Sequence, residues 1–399
     1  SDRYELWAKI SYISPVDAGK SVGLQMSAVQ HDQEGSFGND LYNAEQRSLY
    51  ANLIYQDIID ENNILRAGFS YQLDDINERV GRAGLFDRYE SVPGAFVEYT
   101  FQNIKKFAVI PGIRVDHHNN YSWFITPRLH AKYNFSDKSL VRVTAGRGLK
   151  TANIFAENLG LFSTARELVI DAEDNGNPYG LDAEIAWNYG INFTQGIPIS
   201  QKELLVSIDL YRTDFENQVV VDWETARRIS FYNLEGRSFS NSFQVKLEYE
   251  LLPNFNVRTA YRLFDVQTDY QEGRLEKPMV SRHRSFVNLS YISKSDWHFD
   301  ATLNWVGQKR LPNTSDNPLK YQRPESSPDY FLMNAQIMKR WGKKLDIYLG
   351  AENLFNYKQR DAIIAADDAF GSFFDASIVW APLFGTNIYM GFRYNIGRE

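Results

Sequence analysis

The sequence predicts an all-β protein, an antiparallel β-barrel that crosses a membrane with its strands. Three observations predict it. Runs of about ten residues alternate between apolar and polar side chains, and ten residues is what a tilted strand needs to cross a bilayer. The chain of 399 residues is 43% hydrophobic and 15% aromatic, with 24 Tyr and 26 Phe, yet its mean hydropathy is −0.43. Short turns and long polar connections also alternate along it, as they do between the strands of a membrane barrel.

Other classes fit less well. A membrane helix requires about 20 consecutive apolar residues, and even LVRVTAGRGL (140–149) is interrupted by polar positions. The net charge of −7, from 43 basic and 50 acidic residues, carries no nucleic-acid footprint. The absence of cysteine suits an envelope protein held by its strand ladder. A barrel of this kind is exported, and SDRYELWAKI contains no signal peptide, so the natural N-terminus is expected upstream.

In chain order the alternation marks seventeen strands, at 4–13, 21–30, 47–58, 64–73, 94–102, 106–115, 122–134, 139–148, 184–194, 203–212, 238–251, 256–265, 284–292, 297–307, 329–340, 344–355 and 387–396. In 184–194, Ile185, Trp187, Tyr189, Ile191 and Phe193 oppose Ala186, Asn188, Gly190, Asn192 and Thr194. In 242–251, Phe243, Val245, Leu247, Tyr249 and Leu251 oppose Gln244, Lys246, Glu248 and Glu250. In 297–307, Trp297, Phe299, Ala301, Leu303 and Trp305 oppose His298, Asp300, Thr302 and Asn304. In 344–353, Leu345, Ile347, Leu349 and Ala351 oppose Asp346, Tyr348, Gly350 and Glu352. The last run sets Ile388, Met390, Phe392, Tyr394 and Ile396 against Tyr389, Gly391, Arg393 and Asn395. Soluble strands average about five to six residues, half the length of these. Trp187, Trp297, Trp305 and Trp341 sit near strand ends, where an interfacial girdle belongs. The apolar face, including Val245, Leu247, Leu303, Leu349, Met390 and Phe392, is therefore expected to meet lipid.

Short turns are expected at 14–20, 60–63, 102–106, 135–138, 194–202, 252–255, 293–296 and 340–344. Longer connections are expected at 31–46, 74–92, 149–183, 213–237, 265–284, 308–328 and 357–386, with 116–122 brief. Periplasmic turns are short and extracellular loops long in such barrels, which places the C-terminus in the periplasm. Seventeen antiparallel strands cannot close with every neighbour antiparallel, so further strands are expected from polypeptide preceding this chain.

Particular segments resemble a family. FITPRLHAKYNFSDKSLVRVTAGRGLKTANIFAENLG (124–160) resembles the mid-barrel region of TonB-dependent outer-membrane receptors, particularly those of Bacteroidetes. LGAENLFNYKQ (349–359) is similar to that family's penultimate strand, and FDASIVWAPLFGTNIYMGFRYNI (374–396) to its final loop and strand. KPMVSRHRSF (277–286) is similar to a recurrent segment there. The resemblance implies a C-terminal part of a barrel of about 22 strands with a plugged lumen, in the bacterial outer membrane. Nothing in the chain resembles the plug or the motif that meets TonB, so TonB–ExbB–ExbD would engage through the missing plug region. The implied function is active uptake of a siderophore, haem, cobalamin, glycan or peptide. The alternatives are a receptor-fold subunit recruited to an envelope assembly, alongside a surface lipoprotein or other outer-membrane subunits, and a passive porin. No cofactor is implied.

The loop at 149–183 holds the densest set of candidate ligand or plug contacts. Arg147 is read as ending its strand on the polar side with Arg142 and Thr144, and Asn153, Glu157, Asn158 and Arg166 as converging at the lumen mouth. The competing reading is that TANIFAENLG folds the loop. His117 and His118, read as lying in an exposed turn, point to opposite sides and make a poor chelating pair. DAEDNG (171–176) lacks calcium-loop spacing. Phe370, Phe373 and Phe374 are read as an aromatic loop tip. No serine, histidine or acid constellation suggests catalysis.

Overall fold

The structure, a computed structural model, describes residues 1–396 apart from 39, 82, 104, 105 and 343. Alternation does produce strands. They are β1 (Asp2–Ile13), β2 (Lys20–Phe37), β3 (Asp40–Ile58), β4 (Asn63–Val80), β5 (Gly84–Asn103), β6 (Phe107–His118), β7 (Ser122–Ser136), β8 (Ser139–Lys150), β9 (Glu167–Ile170), β10 (Glu184–Ile199) and β11 (Lys202–Asn217). The remainder are β12 (Val219–Asp222), β13 (Arg228–Asn233), β14 (Ser238–Leu252), β15 (Phe255–Tyr270), β16 (Gly273–Glu276), β17 (His283–Ile292), β18 (Trp297–Val306), β19 (Tyr330–Trp341), β20 (Leu345–Glu352) and β21 (Asn387–Tyr394). Eighteen form one sheet. Setting aside β16, a four-residue flap on the end of β15, leaves the seventeen expected strands. Each pairs antiparallel with its sequence neighbours in that meander. Among the described residues, β1 pairs with β2 alone and β21 with β20 alone. Among the described residues no helix is long and apolar enough to cross a membrane.

Register assigns the faces, because directly opposed residues of antiparallel strands project to the same side. Leu349 opposes Met390, Ile347 opposes Phe392 and Leu345 opposes Tyr394. Val245 opposes Ile208 and Tyr261, and Leu303 opposes Val287 and Met333. This outer face is apolar around the sheet and ends in Trp187, Trp297, Trp305 and Trp341. The inner face carries the charge: Arg393 opposes Asp346, and Arg66 opposes Glu98. Tyr348 lies over Gly391 and Tyr389 over Gly350; a Cβ on either glycine would fall within 2.4 Å of the facing tyrosine ring or hydroxyl. Glycine is needed there because each ring covers the bare backbone opposite.

Two expected loops are instead strand. The 31–46 segment pairs continuously from His31↔Gln46 to Phe37↔Asp40, and 74–92 from Asp74↔Glu90 to Val80↔Gly84. These hairpins run past the length a bilayer needs, so their outer face turns polar, their inner face mixes charges with rings that meet the cap, and the apolar alternation that marks a strand fades. The 213–237 and 265–284 segments similarly contain strand, in β11 to β13 and in β15 and β16. The turns expected at 102–106 and 340–344 lie partly outside the described residues.

The long connections gather at one end of the sheet as a packed cap. Strands β12 and β13 form a hairpin to which β9, from the 151–183 connection, adds in parallel. Phe155 is fully buried, with ring centroids 5.0 Å from Phe86, 5.6 Å from Tyr179 and 6.0 Å from Phe231. Phe162 packs on Phe37 and Tyr42, at 5.6 and 6.0 Å. The 353–386 connection joins through isolated bridges of Asp375 to Thr164 and Ile364. Burial of rings such as Phe155, at about 1.5–3 kcal/mol each, offsets the entropy of ordering these long connections.

Replacing outer-face Leu349 with Arg is expected to destabilise the folded barrel by about 2–4 kcal/mol if it lies near the bilayer midplane. Tyr348→Arg, on the inner face, should cost much less. Urea titration of folding into lipid vesicles measures both, and equal losses would refute the face assignment.

Candidate ligand-binding site

Beneath the cap, the inner faces of β3 to β8 enclose a cavity of about 700 Å³. Its wall follows from period-two alternation: Gln46, Asp74, Arg88, Glu90, Arg114, Asp116 and His118 all occupy even, inward positions. Arg114 donates from Nε and Nη2 to the two Asp116 carboxylate oxygens at 2.8 and 2.6 Å, and from Nη2 to Ser70 Oγ at 2.6 Å. Arg88 Nε lies 3.1 Å from Glu90 Oε1, an ion pair outside hydrogen-bond alignment. His118 ends β6 and is 2% exposed, with Nδ1 accepting the Asn120 amide at 3.1 Å and Nε2 3.5 Å from Glu90 Oε2. It is therefore buried at the cavity wall rather than in an exposed turn, while His117 faces outward against Trp123.

Deeper along the inner wall, the Glu98 carboxylate bridges two guanidiniums, Arg66 at 3.1 Å and Arg128 at 2.6 Å. Fixed charges of both signs thus line the wall, held in geometry by their own partners. Such a surface recognises a polar, multiply hydrogen-bonding molecule without reorganising.

The five residues nominated from sequence separate. Asn153 reaches the cavity, where its side-chain oxygen accepts from Arg88, and Arg88 Nη1 donates to the Ala152 carbonyl at 3.1 Å. Glu157 pairs with Lys150 at 2.6 Å beside it. Asn158 donates to the Ile154 carbonyl at 2.8 Å, a bond within its own loop. Arg166 is 4% exposed inside the cap, donating to Asp375 Oδ2 and the Trp223 carbonyl, both at 2.8 Å. Arg147 also borders the cavity, but the expectation that its side chain lies on the polar side requires a correction. It opposes Trp187 on the outer face, with Val141 and Val143, whereas Arg142 and Thr144 face inward. The side changes because 147 differs in parity from 142 and 144. There Arg147 holds Glu216 at 2.6 and 3.1 Å, and Trp187 Nε1 donates to the same carboxylate at 2.8 Å.

Sequence reasoning missed Arg88, Glu90, Arg114, Asp116 and His118. The signal was present as charges two residues apart, in 88–90 and in 114–118, but the first pair lay in a segment read as loop. The aromatic tip also changes: Phe370 is exposed, while Phe373 packs against Tyr321 at 5.9 Å beneath the Arg227 guanidinium. Among the described residues no group of three or more His, Cys, Asp or Glu is placed to hold a metal ion.

The cap is bound to the barrel wall by a buried carboxylate. Glu78 on β4 accepts from Tyr42 Oη at 2.8 Å and from the Tyr179 hydroxyl of the cap. Burial, and then the Glu78 charge, push the Tyr179 phenol above its ordinary range. Asp375 likewise gathers Arg166, Ser377 Oγ at 2.6 Å and the Ser377 amide at 2.9 Å.

Residues 9–354 match the family model described as TonB dependent receptor-like, beta-barrel. Among solved structures, the copper transporter OprC superposes with a TM-score of 0.75 at 12% identity, covering 98% of this chain and 64% of that one. The ferric-catecholate import receptor Fiu of E. coli K12 gives 0.68 at 13% identity, covering 98% and 64%. A mutant of the ferric enterobactin receptor PfeA of Pseudomonas aeruginosa gives 0.64 at 14%, covering 94% and 62%. The chain therefore spans less than two thirds of the length of these structures, and the likeness is one of fold.

Two outcomes follow from the cap's chemistry. Arg166→Ala and Asp375→Ala should each cost about 3–5 kcal/mol, because each removes one member of a buried ion pair. The double variant should cost little more than either single, read as protease cleavage within 151–183; additive losses would refute the pairing. The raised Tyr179 pKa favours the neutral phenol in the folded cap, so its stabilisation is complete below the unfolded value of about 10 and is lost as pH rises above it. Cap proteolysis should therefore increase above pH 10, and less steeply in Tyr179→Phe; an unchanged profile in that variant would refute this role.

Proposed function

This chain belongs to the TonB-dependent receptor-like β-barrel family, and we propose that it is the barrel portion of an outer-membrane receptor that imports a scarce polar ligand. The observation that carries the reading is the family match over residues 9–354. The apolar outer face, the charged inner wall and the cavity that the cap borders through Thr151 and Asn153 support it. In this reading the cap faces the cell exterior and the short turns face the periplasm, following the usual asymmetry of such barrels.

The outer membrane holds no nucleotide triphosphate and sustains no ion gradient, so accumulation there needs work delivered from the inner membrane. In our reading TonB–ExbB–ExbD supplies it through a plug carried by preceding polypeptide. Strands from that polypeptide pair with the free edges of β1 and β21, since hydrocarbon hydrogen-bonds neither edge. The ligand contacts β4 to β6 around Arg88, Arg114 and His118, with Asn153 bringing in the cap. The neighbours' names point to metal chelates and copper as the first ligands to test, with haem, cobalamin, glycans and peptides following.

The test is uptake of labelled ferric chelates, copper, haem, cobalamin, oligosaccharides and peptides by cells with and without the full-length receptor, each with and without TonB. At least one ligand should accumulate only when both are present, and Arg114→Ala should raise its half-saturating concentration about tenfold, equivalent to about 1.4 kcal/mol. Unchanged uptake of every ligand, with an envelope complex that falls apart when the receptor is absent, would instead establish a structural subunit.

A further inference from the structure

A second cavity, of about 1120 Å³, lies between the β15–β16 flap and the connection at 307–329. Register puts three of its lining residues on the outer flank, while Leu275 opposes Thr268 on the inner side. Glu276 opposes Gln267 on the outer side of β15, His283 opposes Leu263, and Trp305 opposes Ser285 and Phe331. It opens where the outer apolar row Phe299, Ala301, Leu303 ends, next to the membrane surface in the reading above.

Its chemistry is specific. Tyr261, His283 and Trp305 form a strip of near-parallel rings, with centroids 6.1 and 6.4 Å apart and interplanar angles of 29° and 28°. Tyr261 Oη and His283 Nδ1, 2.7 Å apart, lock the first pair, and Trp305 Nε1 donates to Asp329 at 3.0 Å. Around the strip stand planar hydrogen-bonding groups. Arg282 is oriented by Glu276 at 2.7 Å, and Gln308, Glu325 and Asp329 are exposed beside it. The floor is rigid, because Arg310 binds both oxygens of buried Glu224 at 2.6 and 2.7 Å and donates to the Glu276 carbonyl at 2.6 Å.

Aromatic faces offer apolar area to the C–H faces of a flat, neutral molecule, while carboxylates, amides and guanidiniums meet paired hydroxyls side by side. The guanidiniums of Arg282 and Arg310 are each already matched to a carboxylate, so an anion would have to displace one. We propose that this flank cavity binds a saccharide, stacked on the His283–Trp305 strip and hydrogen-bonded by Gln308, Arg282 and Asp329. Its aromatic strip faces outward, and its lining shares no residue with the cavity under Arg88 and Arg114. An interfacial aromatic girdle alone accounts for the rings but not for the polar cavity set against them.

Two sources share this chemistry, a soluble oligosaccharide and the sugar head of a surface glycolipid. The test places the full-length receptor in nanodiscs and probes it with an array of soluble oligosaccharides, and separately with lipopolysaccharide incorporated in the disc, read by native mass spectrometry. Saccharide binding by either route, weakened at least tenfold in both Trp305→Ala and Gln308→Ala, is the expected result. Binding of the soluble glycans identifies a free sugar, and retention of lipopolysaccharide alone identifies the glycolipid. Gln308 is exposed, so Gln308→Ala keeps the test decisive if Trp305→Ala misfolds. Absence of binding by both probes, or binding unchanged in Gln308→Ala, overturns the proposal, and neither result bears on TonB-dependent uptake.

Discussion

Hydrocarbon offers no hydrogen bond to a peptide amide, and the rest of this structure follows from that deficit. A strand in lipid must give every N–H and C=O to a neighbouring strand. The ladder accordingly links β1 to β21 through adjacent antiparallel pairs, as in the eighteen consecutive partners of β2 and β3. Regular pairing enforces alternation of side chains, so one face is apolar between its aromatic ends, with charges such as Arg147 and Glu216 at or beyond them, and the other is free to carry charge. Twist and tilt are accommodated at a few irregular points, such as the register shift at Ile185/Ala186 beside Glu216.

Charge on the inner wall is tolerated because it is matched. Asp116 pairs with Arg114 two residues away and Glu98 with Arg66 on the neighbouring strand, while Arg128 reaches Glu98 from β7 across the intervening β6. They contribute little to stability where water reaches them. Their effect is geometric, since each fixes a long side chain in one orientation and presents a defined pattern of donors and acceptors to the lumen.

The cap solves a different problem. Four long connections, far apart in sequence, would each be mobile alone, so they are packed as one body by buried rings and two enclosed ion pairs, Arg166–Asp375 and Arg310–Glu224. Enclosed pairs of this kind favour one arrangement over others more than they add free energy. They therefore explain why the cavity beneath the cap has a defined roof, with Asn153 delivered to the Arg88 guanidinium from a loop anchored by Phe155.

Alternation alone determined the membrane barrel, its seventeen strands and the two faces, because a strand in lipid has a period of two and no freedom to depart from it. That is why Leu349 and Arg393 were placed correctly from sequence. It failed where lipid no longer acts. Residues 31–46 and 74–92 are paired strands whose inner face mixes charges with rings that pack under the cap, such as Tyr42 and Phe86, so no clean alternation marks them, and Arg88 and Glu90 lie within them. Arg147 was placed on the wrong face although its parity was legible, because its charge was allowed to outweigh the count along the strand. The partners of Arg166, Asn153 and Glu78 in the cap were decided only by tertiary structure: Asp375, Arg88 and Tyr179 lie 209, 65 and 101 residues away, and no local pattern records contacts at such separations.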